Sequence, residues 1–278
     1  MATPDRYAVF GHPISHSLSP RIHRLFARQT GQPLAYDAQD VPADAFEAAV
    51  TSFLSDGGRG LNCTVPLKEL AFRIADRLSP RARRAQAVNT LALQADGCLL
   101  CDNTDGAGLV RDLTANLGLR LSGQRLLILG AGGATRGILA PLLEHAPAAV
   151  VIANRTAARA VTLEHEFRDL GPVTGCGLET LADAAPCDLI LNATAASLSG
   201  ELPPLPPGIL APGGACYDLA YGQRPTPFVR WGQAHGARLS VDGIGMLVEQ
   251  AAEAFALWRG IRPETGPVIA VLTADRER

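Results

Sequence analysis

The most informative stretch of this chain for its fold is Leu126-Leu127-Ile128-Leu129-Gly130-Ala131-Gly132-Gly133-Ala134-Thr135-Arg136-Gly137. Its first four residues are apolar and predict a short buried strand, and the glycines after them predict a tight turn that opens a helix. Such a turn brings backbone N–H groups close to a pyrophosphate, and a helix N-terminus favours negative charge. The stretch therefore favours a dinucleotide-binding unit of strand, turn and helix.

The glycine pattern matches the dinucleotide-binding fingerprint imperfectly, because Thr135 occupies the position of the third glycine. A glycine-rich turn is also found in strand–helix connections that bind no ligand, so the surrounding sequence has to decide. In NAD-binding units an acidic residue about 20 positions further on binds the ribose 2′-hydroxyl. Here the next predicted strand, Ala149–Ala153, is the place to look for that residue.

That strand runs into Asn154-Arg155-Thr156 instead of a carboxylate, and Arg159 follows one turn into the next helix. Guanidinium groups pair bidentately with phosphate oxygens, and a hydroxyl at a helix N-terminus adds another donor. The alternative is that Arg155 and Arg159 are ordinary surface charges. Their position at the strand end favours a ribose 2′-phosphate and therefore NADP(H).

Strands and helices alternate along the whole chain, which predicts an α/β fold. The other predicted strands are Tyr7–Phe10, Leu34–Gln39, Leu61–Val65, the hairpin Leu91–Leu93 with Cys98–Cys101, Arg125–Leu129, Val173–Cys176, Asp188–Asn192 and Ala215–Leu219. The predicted helices are one capped by Ser19 and ended by Gly31, then Ala43–Leu54, one from Pro66, Gly108–Leu117, one after the glycine-rich turn, Ala157–Leu170 and those from about Gly245.

A domain boundary is expected near Asn103–Asp105. The helices after Gly243 have no sheet of their own, so we expect them to pack on the first domain. The predicted domains are residues 1–104 plus 243–278, and residues 105–242.

Composition excludes several classes of function. Of the 278 residues, 47% are apolar, which is ample for a buried core, and the net charge of −2 is spread along the chain. An interspersed charge argues against a nucleic-acid or membrane-surface footprint. No apolar run of about 18 residues is present, and the polar N-terminus lacks the pattern of a signal peptide. We expect a cytoplasmic protein with free thiols.

The cysteines and histidines do not predict a metal site. Cys98 and Cys101 form a CxxC, but the pair lies in the return strand of the predicted hairpin, and no second CxxC completes a zinc site. Pro13 and Pro20 break any helical ligand spacing among His12, His16 and His23. No metal is predicted.

Small polar residues are concentrated in four segments, and three of them follow predicted strands, where open α/β sheets bind ligands. Each segment also has the simpler interpretation of a helix cap or turn. Together their hydroxyl and amide groups offer donors and acceptors that suit a polyhydroxylated small molecule. The segments are Ser15-His16-Ser17-Leu18-Ser19-Pro20, Asn62-Cys63-Thr64-Val65-Pro66-Leu67-Lys68, Ala87-Val88-Asn89-Thr90 and Asp102-Asn103-Thr104-Asp105-Gly106.

In order along the chain, these segments and four others resemble the successive signatures of the shikimate dehydrogenase family. The other four are the glycine-rich turn, Asn154-Arg155-Thr156, Tyr217-Asp218-Leu219-Ala220-Tyr221 and Gly245-Met246-Leu247-Val248-Glu249-Gln250-Ala251-Ala252. The resemblance covers nearly the whole chain. It implies an open α/β substrate domain and a Rossmann-type NADP-binding domain separated by a cleft. It also implies reversible NADPH-dependent reduction of 3-dehydroshikimate to shikimate, a step of chorismate and aromatic amino acid biosynthesis.

The resemblance assigns roles to particular positions of this chain. The implied catalytic pair is Lys68 and Asp105. The implied substrate-binding residues are Ser17, Ser19, Asn62, Thr64, Asn89, Tyr221 and Gln250. The implied cofactor-binding residues are Gly130, Ala131, Gly132, Gly133 and Ala134 at the pyrophosphate, Asn154, Arg155, Thr156 and Arg159 at the 2′-phosphate, and Leu219 and Gly243 near the nicotinamide.

The chemistry agrees with Lys68 and Asp105 as a pair. Hydride transfer to a ketone builds negative charge on its oxygen, which a proton or a cation must neutralise. An ammonium can supply either, and a neighbouring carboxylate would hold it in place. The sequence leaves open whether Lys68 donates the proton or only polarises the oxygen. The alternative, a surface lysine at a helix start, is disfavoured because a cation is unfavourable at that end.

Three residues depart from the family's usual pattern, which commonly has a small residue, often glycine, at these positions. They are Gln86, Cys101 and Ser197. We expect them to alter local backbone or the packing beside the nicotinamide. Two other functions stay open at this point: a relative that also uses quinate or NAD, and a non-catalytic nucleotide-sensing protein. A monomer and a homodimer are both compatible with the sequence.

Overall fold

The structure is a computed structural model that describes residues 3–194 and 196–276, without the side chains of residues 198 and 199. Its internal contacts divide the chain into two compact units. The first unit comprises the described residues up to Leu109 together with Leu247–Ala274, and the second comprises Val110–Met246 and the described residues from Asp275 onward. Each unit has its own sheet and its own core.

The first unit contains a mixed six-stranded sheet of order β2-β1-β3-β5-β6-β4. Strands β1, β2 and β3 are mutually parallel, β5 runs antiparallel to both β3 and β6, and β4 is parallel to β6. The antiparallel pair β5–β6 is the predicted hairpin. The strands are β1 (Asp5–Gly11), β2 (Leu34–Asp40), β3 (Gly58–Cys63), β4 (Arg77–Leu78), β5 (Thr90–Leu93) and β6 (Leu99–Asp102).

The second unit contains a six-stranded sheet of order β12-β11-β10-β7-β8-β9, and all its strands are parallel. The chain goes outward in one direction from β7 through β8 and β9, and then returns to β10 on the other side of β7. The strand order therefore reverses between β7 and β10. The strands are β7 (Arg125–Leu129), β8 (Ala149–Asn154), β9 (Val173–Gly177), β10 (Cys187–Asn192), β11 (Leu210–Asp218) and β12 (Leu239–Asp242).

Ten α-helices accompany the strands of the described residues. They are α1 (Ser19–Thr30), α2 (Phe46–Ser55), α3 (Lys68–Arg73), α4 (Pro80–Ala85), α5 (Asp105–Arg111), α6 (Gly133–Leu143), α7 (Ala157–Phe167), α8 (Pro227–Ala234), α9 (Ile244–Arg259) and α10 (Gly266–Ala274). Within residues 3–194 and 196–276, no helix is both long and apolar enough to cross a bilayer.

The cores explain why the apolar runs form strands. In the first unit Phe10, Leu61 and Leu91, from three neighbouring strands, are fully buried together with the inner face of α2. In the second unit β7 is completely buried from Leu126 to Leu129. A parallel sheet covered on both faces requires such unbroken apolar strands. The predicted α/β fold is confirmed.

Several predicted boundaries were wrong. Ser19 does not cap α1: it is the first helical residue, and Leu18 stands at the N-cap with no side-chain hydrogen bond. Strand β3 lies at Gly58–Cys63 rather than 61–65, and α3 begins at Lys68 rather than at Pro66. The missed elements are β4, α4, α8 and β12. Strands of two and four residues and helices of six and eight residues are too short to show a clear hydrophobic period in the sequence.

The helix predicted at 108–117 begins at Asp105, and its last turn, Asp112–Asn116, is a π-helix. The reason lies at Asp112, which is buried and accepts hydrogen bonds from the Tyr217 hydroxyl at 2.7 Å and from Asn116 Nδ2 at 2.9 Å. The same hydroxyl accepts a hydrogen bond from the backbone N–H of Met246. The Asn116 bond is local, but Tyr217 and Met246 come from distant parts of the chain, so no local pattern could have shown their two bonds.

One histidine of the first unit is buried without any hydrogen bond. The ring of His23 is fully buried, and neither nitrogen has a partner among the described residues. It stacks on Tyr36 with a centroid distance of 4.1 Å and an angle of 8° between the rings. Burial lowers its pKa to about 3. The ring is therefore neutral in the folded protein throughout the range of ordinary buffers.

This burial predicts acid sensitivity. An unfolded His23 binds a proton near its ordinary pKa of 6.5, whereas the folded one binds it only near 3. As pH falls below 6.5, the unfolded state binds a proton that the folded state does not bind. The free energy of unfolding should therefore drop by roughly 3 kcal/mol by pH 4. Urea unfolding between pH 4 and pH 7.5 measures this slope. His23→Phe should flatten it.

The matched control is His16→Phe, because His16 is exposed in the same unit. It should leave the slope of stability against pH unchanged. Identical slopes for the wild type and His23→Phe would contradict the prediction.

Candidate active site

The sheet of the first unit brings the four polar segments together at one edge. Strands β1 and β3 are parallel neighbours, so the residues that follow them lie side by side. The antiparallel register then places Asn62 opposite Thr90, and Thr90 opposite Asp102. The segments after β1, β3 and β6 and the segment before β5 therefore meet at the same edge, as expected for a ligand site.

Lys68 and Asp105 form an ion pair at this edge. The Nζ–Oδ2 distance is 2.5 Å, and the side chains are 17% and 7% exposed. Each residue is the first of its helix, Lys68 in α3 and Asp105 in α5. The other carboxylate oxygen, Oδ1, accepts a hydrogen bond from Asn89 Nδ2 at 2.9 Å. Both oxygens of Asp105 are thus held, and the lysine ammonium retains N–H groups for a further acceptor.

Asn89 fixes the carboxylate through a buried network. Its Oδ1 accepts hydrogen bonds from Thr104 N at 2.8 Å and from Thr90 Oγ1 at 2.9 Å. Its Nδ2 donates to Asp105 and, at 3.3 Å, to Gln250 Oε1. Asn89 is 2% exposed. The network leaves its amide a single orientation, because the reverse one would place donors against donors.

Asn62 is held in the same manner. Its Oδ1 accepts a hydrogen bond from the Tyr36 hydroxyl at 2.7 Å, and its Nδ2 donates to Asn89 O and to Thr90 Oγ1, both at 3.0 Å. Both amide hydrogens are therefore committed within the protein. A lone pair of Oδ1 is the hydrogen-bonding capacity that remains for a ligand.

Sequence reasoning missed Tyr36, Thr90 and Thr104 as residues of this network. Thr90 and Thr104 were within the quoted segments, but nothing in the pattern distinguished them from turn residues. Tyr36 lies in β2, outside every segment, and burial raises its pKa well above the ordinary value. A tyrosine in a predicted strand is a usable signal, since a hydroxyl that becomes buried requires a partner.

Of the remaining predicted substrate residues, three belong to the segments at this edge and one belongs to the second unit. Ser17 and Ser19 follow β1, and Ser17 Oγ accepts a hydrogen bond from the backbone N–H of Ser19 at 3.3 Å. Thr64 follows β3, so close to Gly11 that a Cβ there would lie 2.4 Å from Thr64 Cγ2. Tyr221 belongs to the second unit, after β11.

Two of the three departures have visible consequences here. Gln86 ends α4 at φ 51°, in the left-handed region that favours glycine. This backbone conformation costs a residue with a side chain about 1 kcal/mol or more. Cys101 is fully buried in β6, and burial raises its pKa to about 12, so it stays a thiol.

The glycine-rich turn of the second unit fits a pyrophosphate. Gly130 has φ 101°, and a Cβ on it would lie 3.1 Å from Ala193 O. A Cβ on Gly132 or Gly133 would meet nothing within 4 Å, so the space above the turn is open. Helix α6 begins at Gly133 without a side-chain cap among the described residues, which leaves its first N–H groups available for an anion.

Thr135 explains the imperfect glycine fingerprint. Its side chain is fully buried, and its hydroxyl donates a hydrogen bond to Gly130 O at 2.8 Å. This bond closes the turn from inside. A third glycine is therefore not required at this position.

The end of β8 fits a phosphate group. Arg155, Thr156 and Arg159 are exposed, and neither guanidinium has a hydrogen bond or ion pair within the described part of the chain. Thr156 is at the N-cap of α7 without a side-chain cap bond, and Asn154 Nδ2 donates to Thr156 O at 3.0 Å. Two unpaired guanidinium groups at a helix N-terminus match the donors that a 2′-phosphate needs.

Leu219 and Gly243 are brought together after β11 and β12. A Cβ on Gly243 would lie 2.4 Å from Leu219 O, so only glycine fits there. Gly243 N donates to Ala220 O at 3.1 Å. These backbone groups lie at the carboxyl edge of the parallel sheet, on the β10 side of β7.

Three family models match the chain. They are the shikimate dehydrogenase substrate binding domain over residues 9–91, shikimate / quinate 5-dehydrogenase over residues 112–199, and the shikimate 5′-dehydrogenase C-terminal domain over residues 243–273.

Known proteins resemble the chain over nearly its whole length. The shikimate dehydrogenase (NADP(+)) of Methylococcus capsulatus is 69% identical, covering 99% of each chain. The crystal structure of an Ael1 enzyme from Pseudomonas putida has a TM-score of 0.88 at 49% identity, covering 96% of this chain and 98% of that one. Shikimate 5-dehydrogenase from Thermus thermophilus, in complex with NADP(H) and shikimate, has a TM-score of 0.84 at 36% identity, covering 96% and 97%.

These similarities confirm the family predicted from the sequence, and with it NADP as the cofactor. They span both units, so they do not reflect the nucleotide-binding fold alone. The chain belongs to the family of NADP-dependent shikimate dehydrogenases.

Proposed function

We propose that this chain catalyses the reversible reduction of 3-dehydroshikimate to shikimate with NADPH, and that Lys68 and Asp105 act at the reacting oxygen. Residues 1–104 with 243–278 would form the substrate-binding and catalytic domain, and residues 105–242 the NADP-binding domain. The enzyme would act in the cytoplasm as a monomer or homodimer.

The observation that carries the proposal is the ion pair of Lys68 with a carboxylate whose other oxygen is fixed by Asn89. NADPH supplies a hydride when bound. As the carbonyl oxygen gains negative charge, the ammonium of Lys68 stabilises it in a partly buried site where charges interact more strongly than in water. Asp105 keeps the ammonium in position, and Asn89 keeps Asp105 in position. Asp105 and Asn89 hold these positions before the reaction begins, so little reorganisation of the site is needed during it.

The same edge suits the rest of the substrate. Ser17, Ser19 and Thr64 present hydroxyl groups, which can donate to a carboxylate or exchange hydrogen bonds with ring hydroxyls. Asn62 adds the remaining lone pair of its amide oxygen, and the amides of Asn89 and Gln250 are held in the network described above. A compact molecule with one carboxylate and several hydroxyls would satisfy these groups together.

For the cofactor, we propose that Gly130, Ala131, Gly132, Gly133 and Ala134 hold the pyrophosphate. Asn154, Arg155, Thr156 and Arg159 would hold the 2′-phosphate, and the backbones of Leu219 and Gly243 would contact the nicotinamide. The open space above Gly132 and Gly133 and the unpaired guanidinium groups support these roles.

The proposal is tested by measuring kcat/KM for shikimate and for quinate, each with NADP+ and with NAD+. We expect shikimate with NADP+ to give the highest value, because the free guanidinium groups favour the 2′-phosphate. A higher kcat/KM with quinate would contradict the substrate. The absence of turnover with all four pairs, in a protein that binds NADP+, would contradict catalysis itself.

A further inference from the structure

A buried carboxylate organises the loops that follow β10 and β11. Asp218, the last residue of β11, is fully buried and accepts four hydrogen bonds. They come from Asn192 Nδ2 at 3.0 Å, Ala220 N at 3.1 Å, Ser197 Oγ at 2.5 Å and Thr226 Oγ1 at 2.6 Å. Burial raises the pKa of Asp218 although these donors act against the shift. A carboxylate surrounded in this way holds its neighbours tightly, since each donor would otherwise lose a charge-assisted hydrogen bond.

Ser197 connects the loop after β10, residues 193–200, to this carboxylate. Its hydroxyl donates to Asp218 and accepts from Asn192 Nδ2 at 3.1 Å, which closes a triangle of three side chains. Nearer its start the loop is attached a second time, because Thr194 Oγ1 donates to Asn192 Oδ1 at 2.7 Å. Within the described residues, Ser197 is the member of this loop that reaches Asp218. The departure from glycine noted in the sequence therefore adds an anchor.

The loop lies directly beside the glycine-rich turn. A Cβ on Gly130 would lie 3.1 Å from both Ala193 O and Thr194 Cγ2. Strands β7 and β10 are neighbours, and the strand order reverses between them. A dinucleotide lies across the sheet edge at such a reversal. Since Arg155 and Arg159 follow β8 on one side of β7, the nicotinamide half falls on the other side, over β10 and β11.

We propose that Ser197 is a positioning residue that fastens the 193–200 loop to Asp218 and so shapes the nicotinamide half of the cofactor site. It acts through the loop and does not itself take part in the reaction. The inference rests on the proposed cofactor-binding residues, and it gives the departure at Ser197 a specific physical role, that of anchoring this loop to Asp218. The adenosine half, held at the end of β8, does not depend on this anchor.

The test compares two ligands that differ in the nicotinamide. Isothermal titration calorimetry gives the Kd of NADP+ and of 2′-phospho-ADP-ribose, which lacks the nicotinamide ring. For Ser197→Ala we expect the Kd of NADP+ to rise about tenfold, the factor that corresponds to roughly 1.4 kcal/mol. The Kd of 2′-phospho-ADP-ribose should stay within about twofold. Ser197→Thr keeps a hydroxyl and should behave as the wild type.

Ser122→Ala is the matched control, because Ser122 is exposed in the turn before β7, at the opposite end of the sheet. It should change neither Kd. Equal Kd values for the wild type and Ser197→Ala would overturn the inference. So would a parallel weakening of both ligands or a loss of the fold by circular dichroism, since Ser197 would then be a general structural residue. If the wild type bound neither ligand, the proposed function would fail instead.

Discussion

Replacing Lys68 with alanine is expected to lower kcat for shikimate oxidation by about 10³-fold, the usual scale for loss of an acid–base or charge-stabilising group. The ammonium of Lys68 lies 2.5 Å from Asp105, and alanine has no charged group to take its place. The Kd of NADP+ should stay within about twofold, because the cofactor residues belong to the second unit. Steady-state kinetics and calorimetry measure the two effects separately.

Lys68 is the only lysine of the chain, whereas arginine occurs 24 times. This permits a second measurement, since reductive methylation with ¹³C labels a single side chain and its NMR signal reports titration at that position directly.

Lys68→Arg keeps the positive charge but cannot give up a proton near neutral pH. Residual activity well above that of Lys68→Ala would indicate polarisation of the oxygen, and activity equal to it would indicate proton donation.

The control for this position is Arg73→Ala, because Arg73 is an exposed cation at the other end of α3. It should leave kcat unchanged. An unchanged kcat in Lys68→Ala would remove Lys68 from the mechanism. A loss of kcat together with a loss of NADP+ binding would indicate that the substitution had disturbed the structure beyond the Lys68 side chain.

Removing both guanidinium groups at the end of β8 is expected to reverse much of the preference for NADP+. Each charge-assisted hydrogen bond to a phosphate contributes roughly 1.5 to 3 kcal/mol, so Arg155→Ala with Arg159→Ala should raise the KM of NADP+ by about a hundredfold or more. The KM of NAD+ should change little, since NAD+ has no 2′-phosphate. The ratio of kcat/KM for the two cofactors is the quantity to measure.

Arg168→Ala provides the comparison, because Arg168 is an exposed arginine at the opposite end of α7. It removes one positive charge at the far end of α7, where no 2′-phosphate is expected, and should leave the KM of NADP+ unchanged. If both KM values rose equally in the double variant, the arginines would act on the whole dinucleotide. If neither rose, the 2′-phosphate would have to be bound elsewhere.

Local chemistry explains which elements could be predicted. Strand β7 was predicted at its observed bounds, Arg125–Leu129, because an apolar run and a glycine-rich turn fix both of its ends. The hairpin β5–β6 was predicted for the same reason, from a turn between two apolar runs. In contrast, the prediction that Ser19 caps α1 was wrong, because Ser19 is itself the first helical residue and its backbone N–H donates to Ser17 Oγ.

The α/β fold, the family and the NADP cofactor followed from the sequence alone, as did the four polar segments, although the sequence did not show that Tyr36, Thr90 and Thr104 join their network. These follow from short patterns in which each residue's neighbours along the chain define its surroundings. How the polar groups divide their hydrogen bonds depends on the assembled fold. Asn89 donates a hydrogen bond to Gln250, which lies 161 positions further along the chain. Tyr36 in β2 donates to Asn62 in β3, and Ser197 in the loop after β10 donates to Asp218 at the end of β11. The direction of a hydrogen bond depends on which groups share a buried space, and that is fixed when the sheets assemble.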